Sequence, residues 1–425
     1  MASLSSRPLV GLRVLDFTQF LAGPYATQML GDLGAEVVKV EAPDGDLTRT
    51  LPPHFVGPDS AYFVANNRNK QSIVIDLKAL SSPPLAEALI AKSDVVIENF
   101  RPGKLAALGV NREELMEKYP RLIWCSVSGF GQDGPGSQRP AYDMVVQALS
   151  GSMSLTGHHD APPVRAGIPI GDLAAGLHAV IGVLAALQQR EESGRGQFID
   201  IAMLDCLVSM LNYQGAYYLH SGEVPTGQGR QHDSIPTYRA FTAADGVDFV
   251  VTANTERMWR ALCETMGVPE LVDDPRFSTN SDRLNHREDL DLLLEAEAKK
   301  RPAEEWVDLL EDAQVPVAPV RTVAQALEDP QVVQRGMVVR LRSEDGTTAQ
   351  SLGSPIKMSS SNGQAHRFPP RLGEHTRDVL RRWLDYDDET IDELISVGSV
   401  RESAHPSDHL GQDKPIGREI GGMSL

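Results

Sequence analysis

The sequence predicts an α/β protein, with a Rossmann-like doubly wound parallel sheet in a large domain and a smaller α+β domain beside it. Three observations carry that expectation. Short runs rich in Val and Ile alternate with helix-length segments through the first third of the chain, which is the pattern of βαβ units. An Asp245-Gly246 pair flanked by two apolar runs marks a hairpin, and polar helices of a different texture follow it. The length, 425 residues, favours two domains over one.

Gly11–Phe17 (GLRVLDF) reads as the first strand, residues 22–33 as a helix entered through Gly23-Pro24, and Glu36–Glu41 (EVVKVE) as the second strand. Ser72–Leu77, Asp94–Asn99 and Leu122–Ser128 are further strands, with helical stretches at 84–92 and 112–119. The dinucleotide fingerprint is missing. Leu21-Ala22-Gly23-Pro24 replaces GxGxxG, and Pro24 lacks an N–H that a pyrophosphate would need. Glu41 imitates a ribose-binding acid, but without the glycines NAD is rejected.

Arg165–Gly171 is a Gly/Pro-punctuated approach to Asp172, and 173–187 reads as a helix. Its bulky residues fall at 173, 177, 180, 181, 184 and 187 with small ones between, so it should be buried and closely packed. A carboxylate in its first turn meets unpaired N–H groups and the positive dipole end, which favour ionisation. Asp172 is then either a helix cap or a carboxylate nucleophile at a cleft.

Beyond the Gly194–Gln197 turn come strand Phe198–Ala202, an apolar helix near 204–219, and a Gly/Pro-rich linker or mobile loop at 221–229. Tyr238–Thr242 and Val247–Thr252 form the hairpin, and helices follow at 255–266, 287–300 and 303–313. The expected divisions are 1–222 for the large domain, 223–322 for the small one, and 323–425 returning to the large one. A Ser/Pro/Asp/Gly-rich tail begins near Glu402.

A net charge of −18 argues against nucleic-acid or anionic-membrane partners. Local basic groups still leave room for a phosphate-bearing small molecule: Arg68 with Lys70, Lys78, and Arg101 with Lys104. Read as a run, no apolar stretch reaches the roughly 18 to 20 unbroken residues of a membrane span. Residues 1–8 hold no secretory h-region. Cys125, Cys206 and Cys263 lie far apart with no metal-ligand spacing, so a reducing cytoplasm and no metal site are expected.

Several stretches share an order and spacing with one family. They are Leu15-Asp16-Phe17-Thr18 with Ala22-Gly23-Pro24, Leu33–Glu41, Asn67–Lys70, Glu98–Gly103, Ser128–Gly131, Tyr142-Asp143, Gly171-Asp172, Gly194–Gln197 and Leu372–Thr376. Together, over roughly residues 7 to 395, the chain resembles the class III CoA-transferase family (the CaiB/BaiF type). The resemblance implies an interlocked homodimer. It also implies transfer of CoA from an acyl-CoA, such as succinyl-CoA or another short-chain thioester, to a carboxylic acid. The CoA thioester is a co-substrate, and no cofactor is tightly bound.

By the same resemblance Asp172 is the residue that forms covalent acyl and CoA intermediates, and Ala22 lies in the loop against the CoA thiol end. Ile75, Asp76, Leu77 and Lys78 match one CoA-contacting segment, Asn99, Phe100 and Arg101 another, and Tyr142 with Asp143 a pair beside the site. Two departures bear on the substrate. Leu21 stands where formyl-CoA transferase has glutamine, and that enzyme's four-glycine loop is here Gly227–His232. Oxalate is therefore disfavoured, with Leu21 as an apolar wall and Arg230 and His232 as candidates for a far carboxylate. Racemases of the family carry histidine where this chain has Tyr142, and racemisation needs proton carriers on both faces, so transfer is favoured. The alternatives are an acyl-CoA racemase or epimerase, and a non-catalytic acyl-CoA-binding protein in which Asp172 is only a cap.

Overall fold

The structure, a computed structural model, describes residues 7–359 and 366–403. The tail expected near Glu402 therefore lies almost wholly outside the described residues. In chain order the strands are β1 (Arg13–Asp16), β2 (Glu36–Glu41), β3 (Phe55–Val56), β4 (Asp59–Ser60), β5 (Lys70–Ile75), β6 (Val95–Glu98), β7 (Ile123–Ser128), β8 (Phe198–Ala202), β9 (Tyr238–Thr242), β10 (Asp248–Thr252), β11 (Val317–Pro319), β12 (Val338–Arg342), β13 (Thr348–Leu352) and β14 (Val400–Arg401). Two compact units divide the chain. The first takes the described parts of 1–138, 175–201 and 340–425, and the second takes 139–174 and 202–339.

The first unit is built on a sheet of order β14-β5-β2-β1-β6-β7-β8. β1, β2, β5, β6 and β7 run parallel, and β14 closes one edge antiparallel to β5. Inner parallel strands are covered on both faces, and β2 shows the consequence: Val37 through Glu41 are all buried. The two charges in that run are compensated, Lys39 by Asp46 at 2.9 Å and Glu41 by Arg49 at 2.7 Å. Leu15, Ile73, Val96 and Trp124 from the strands pack with Leu89 and Trp383 from helices in one core.

Strand order reverses at β1. The chain proceeds through β2 and β5 on one side and β6, β7 and β8 on the other. The carboxyl ends of β1 and β6 flank that reversal, the usual ligand position in open α/β sheets.

In the second unit β9, β10 and β11 form an antiparallel sheet, with Phe249 opposite Phe241 on one side and Pro319 on the other. Asp245-Gly246 makes the turn, Gly246 at φ +79° and Ala243 N–H donating to Val247 C=O at 2.9 Å. Trp259, Trp306, Leu290 and Leu294 from the helices complete a separate core.

The unit divisions fall elsewhere than residues 222 and 322. The helix Asp143–Leu149 packs on the helix Met203–Met210, and a Cβ on Gly171 would lie 3.0 Å from Val146 and 3.3 Å from Leu207. Those contacts bring 139–174 and 202–222 into the second unit. The helix expected near 204–219 is two helices, Met203–Met210 and Asn212–Ser221, because Asn212 turns left-handed at φ +50°.

The helix Ile170–Ser193 starts two residues before Asp172. It is long and apolar enough to cross a membrane by length and composition. Its small residues do allow close packing within the first unit: a Cβ on Gly176 would fall 2.8 Å from the Ala22 carbonyl, and one on Gly182 3.0 Å from Ile199. The expectation of full burial is corrected. Leu177, Ile181 and Leu184 are exposed, and less than half of the apolar stretch is buried.

Candidate active site

Asp172 is the third residue of its helix, and the N–H groups of that helix start are already engaged. Asp143 Oδ1 accepts Gly171 N–H at 2.7 Å and stands 3.4 Å from Asp172 N, while Leu173 N–H donates to Pro169 C=O. Asp143 is the cap, reaching across from the first turn of another helix. Gly171 permits the approach, since a Cβ there would lie 3.0 Å from Asp143 Oδ1. Buried Gln147 fixes Asp143 in turn: its Nε2 donates to Asp143 Oδ2 at 2.6 Å, and its Oε1 accepts Ala166 N–H at 2.9 Å.

The Asp172 carboxyl itself accepts no hydrogen bond among the described residues and is largely enclosed. Burial, reinforced by the Asp143 carboxylate, pushes its pKa up to about 7. The dipole argument predicted the opposite direction. It fails because the cap is a second carboxylate, so the positive helix end is neutralised before Asp172 can profit from it. A carboxylate held this way is basic and poorly solvated, which suits a nucleophile.

Tyr142 precedes the helix Asp143–Leu149 with extended backbone, and its side chain is mostly exposed. Arg230 is ion-paired with Asp248 at 2.9 Å and donates to Thr242 at 2.9 Å. His232 is stacked between Tyr213 and Tyr238, with ring centroids at 6.0 and 5.3 Å. Its Nδ1 lies 2.9 Å from Asp233 Oδ1 and accepts Ser234 N–H at 3.1 Å. Neither residue hydrogen-bonds Asp172 or Asp143 among the described contacts.

In the first unit, Leu21 and Ala22 follow β1, Asp76, Leu77 and Lys78 follow Ile75 at the end of β5, and Asn99, Phe100 and Arg101 follow β6. These are carboxyl ends of parallel strands, and the β1 and β6 loops flank the reversal of strand order. Asn99 joins those two loops directly through the backbone of Gln19. Leu21 is only 6% exposed, so as a wall it is largely covered. Lys78 and Arg101 are exposed and make no ion pair among the described contacts. Asp76 Oδ1 accepts Lys78 N–H and shapes that turn.

Arg68 and Lys70 do not form the free basic cluster that the sequence suggested. Arg68 is buried against Asp32 at 2.5 Å, and Lys70 is wholly buried, bonded to Asp16, Asn67 and the Pro24 carbonyl. Both are structural charges under the β1 loop. Residue type alone could not separate them from surface cations; their spacing from buried acids becomes visible only in the fold.

The description of one protein family, CoA-transferase family III, matches residues 9–376. The chain belongs to that family. It is a transferase, and the substrates of the family are CoA thioesters. The chain is 39% identical over 395 residues to the human succinyl-CoA:glutarate CoA-transferase, covering 93% of this chain and 90% of that one. An acetyl-CoA:oxalate CoA-transferase of Acetobacter aceti is 42% identical over 302 residues, 71% of this chain and 77% of its own. Among solved structures, a CAIB/BAIF family protein from Brucella suis superposes with a TM-score of 0.80 at 38% identity, over 89% of this chain and all of that one.

Proposed function

We propose that this protein moves CoA from a short-chain thioester, succinyl-CoA foremost, to a dicarboxylic acid, with Asp172 as the covalent carrier. One observation supports this above the others: Asp172 is relieved of capping by Asp143 and held as a basic carboxyl with a pKa of about 7. A carboxylate satisfied by several N–H donors would be stable and inert. This one accepts no hydrogen bond among the described residues, so it has no donor there to lose on attack.

The chemistry balances without electron transfer. An Asp172 oxygen adds to the thioester carbonyl, the C–S bond breaks, and CoA leaves as thiolate from a mixed anhydride. The thiolate adds to the Asp172 carbonyl of that anhydride and expels the donor acid as carboxylate, leaving an aspartyl-CoA thioester. The acceptor carboxylate then attacks this thioester, releasing the thiolate. The thiolate attacks the acceptor carbonyl, forms the new acyl-CoA and frees Asp172. Each oxyanion needs positioned donors.

CoA is proposed to lie over the carboxyl ends of β1, β5 and β6, with exposed Lys78 and Arg101 toward its phosphates. A homodimer is part of the same reading. The apolar residues Leu177, Ile181 and Leu184 are exposed in the chain taken alone, as are Tyr213, Tyr217, Tyr218 and Leu219 on the helix Asn212–Ser221, which buries none of its residues. Surfaces of that kind mark interaction sites.

Peptide mapping by mass spectrometry after incubation with succinyl-CoA tests the proposal. A CoA thioester, lost on hydroxylamine treatment, is expected on the peptide containing Asp172. Turnover without any adduct on that peptide overturns it.

A further inference from the structure

The five residues between β1 and the helix Ala22–Asp32 are gripped largely by side chains from other segments. Asn99 Oδ1 accepts Gln19 N–H at 2.9 Å, and its Nδ2 donates to Gln19 C=O at 2.7 Å. Buried Lys39 donates from Nζ to Thr18 C=O at 2.6 Å and to Asp46 Oδ2 at 2.9 Å. Asp46 Oδ1 stands 3.4 Å from Phe20 N, and Asp16 Oδ1 accepts Thr18 N–H at 2.8 Å. Within this grip Phe20 has φ +65°. A bulky L residue enters that region at a cost, and such conformations persist where the surroundings over-determine them. No side chain caps the helix that follows at Ala22.

Asn99 therefore spends its acceptor and one donor on the backbone of a single residue, 80 positions away. A carboxamide matched on both edges to one residue's N–H and C=O fixes its orientation. Rotation of the Gln19–Phe20 peptide would break the Asn99 bond to Gln19 C=O and the approach of Phe20 N to Asp46, and would let Phe20 relax to negative φ. The loop presenting Leu21 and Ala22 would then change direction.

We infer that Asn99 is a positioning residue, which holds Phe20 left-handed and so sets the direction in which the Leu21–Ala22 loop leaves β1, and that it acts on transfer through that loop. What the loop faces rests on the functional reading above. The clamp does not, and the two fail separately.

The test is a double-mutant cycle with Asn99→Ala and Phe20→Asn, because asparagine tolerates the left-handed region. Loss of two hydrogen bonds should lower kcat for transfer about tenfold or more in the Asn99→Ala protein. In the Phe20→Asn background the same change should cost roughly threefold or less, because the conformation no longer has to be forced. Kd for CoA, from calorimetry, should stay within about twofold throughout. A tenfold weaker Kd with unchanged kcat would make Asn99 a CoA contact, and equal losses in both backgrounds would place its action elsewhere; either overturns the inference.

Amide exchange over residues 18–22 reads the clamp without any reaction. Asn99→Ala should accelerate it roughly tenfold or more, and unchanged exchange overturns the clamp. Asn99→Asp keeps the acceptor and loses the donor, so it should fall between wild type and Asn99→Ala if the alanine variant folds poorly. A wild-type protein that forms no Asp172 adduct yet shows the exchange effect would sink the functional reading and leave the clamp intact.

Discussion

Asp143 Oδ1 accepts the N–H of Gly171 at 2.7 Å, so the carboxylate that caps the helix sits against the backbone just before Asp172. One residue thereby does two things to its neighbour. It occupies the N–H groups that would have stabilised the Asp172 anion, and it adds a like charge beside it. Both push the Asp172 carboxyl the same way, on top of burial.

Removal of the Asp172 carboxylate should abolish transfer, with Asp172→Asn and Asp172→Ala both losing it while CoA binding persists. The stability effect has the opposite sign. The folded protein holds this proton up to a pH of about 7, whereas the unfolded chain releases it near 3.8. Between those values the folded state binds more protons, so stability falls as pH rises, and the full penalty stands above about pH 7. Asp172→Asn escapes it. Urea titrations should show that variant gaining on the order of 1 to 2 kcal/mol relative to wild type between pH 5.5 and 8, after discounting for partial exposure. Near-normal turnover in Asp172→Asn, or a loss of stability at pH 8, contradicts the assignment.

Asp143→Asn separates cap from charge. The carboxamide oxygen can still accept Gly171 N–H, but the like charge is gone, so the Asp172 pKa should drop while its burial keeps it above the ordinary value. The acid limb of kcat/KM against pH should move down by up to about one unit. An unmoved limb would mean that the Asp143 charge does not reach Asp172.

Much of this arrangement could be read from the sequence where the pattern is local. β2 and β8 have the bounds that their Val/Ile runs suggest, and Asp245-Gly246 turns the β9–β10 hairpin because only a left-handed residue fits at 246. What escaped the sequence is non-local. β14 is two residues that find β5 across more than three hundred positions, and no period can announce so short a strand. The cap on the Asp172 helix comes from 28 residues upstream. Asp172, in a plausible capping position, therefore invited a role that Asp143 fills. Arg68 and Lys70 looked like surface cations until the fold placed Asp32 and Asp16 against them.

Tyr142 is next to Asp143 in the chain and mostly exposed, and on the proposed function its phenol orients the acyl group without being the nucleophile. Tyr142→Phe should slow transfer while adduct formation on Asp172 continues. One hydrogen bond to a charged group is worth about 1.5 to 3 kcal/mol, or roughly ten- to a hundred-fold in rate. An unchanged kcat and KM would remove Tyr142 from the site.

Acceptor choice turns on length. Relatives of comparable identity are named for glutarate and for oxalate, so family membership alone does not choose between them. Leu21 is too covered to serve as the acceptor's wall, so the far carboxylate has to find a donor elsewhere, because an unpaired buried carboxylate is costly. On the proposed function, four- to six-carbon diacids are long enough to carry their far carboxylate to a donor, which oxalate is not. Arg230 is already held by Asp248 and Thr242, whereas His232 is fixed by stacking, and its Nε2 makes no hydrogen bond among the described residues. With succinyl-CoA as donor and acceptors competing at equal concentration, glutarate and its four- and six-carbon neighbours should outrun oxalate and formate. His232→Ala should flatten that ranking, and Arg230→Ala should leave it in place. A wild-type preference for oxalate would overturn the length argument. A ranking lost in Arg230→Ala and kept in His232→Ala would exchange the roles of the two residues.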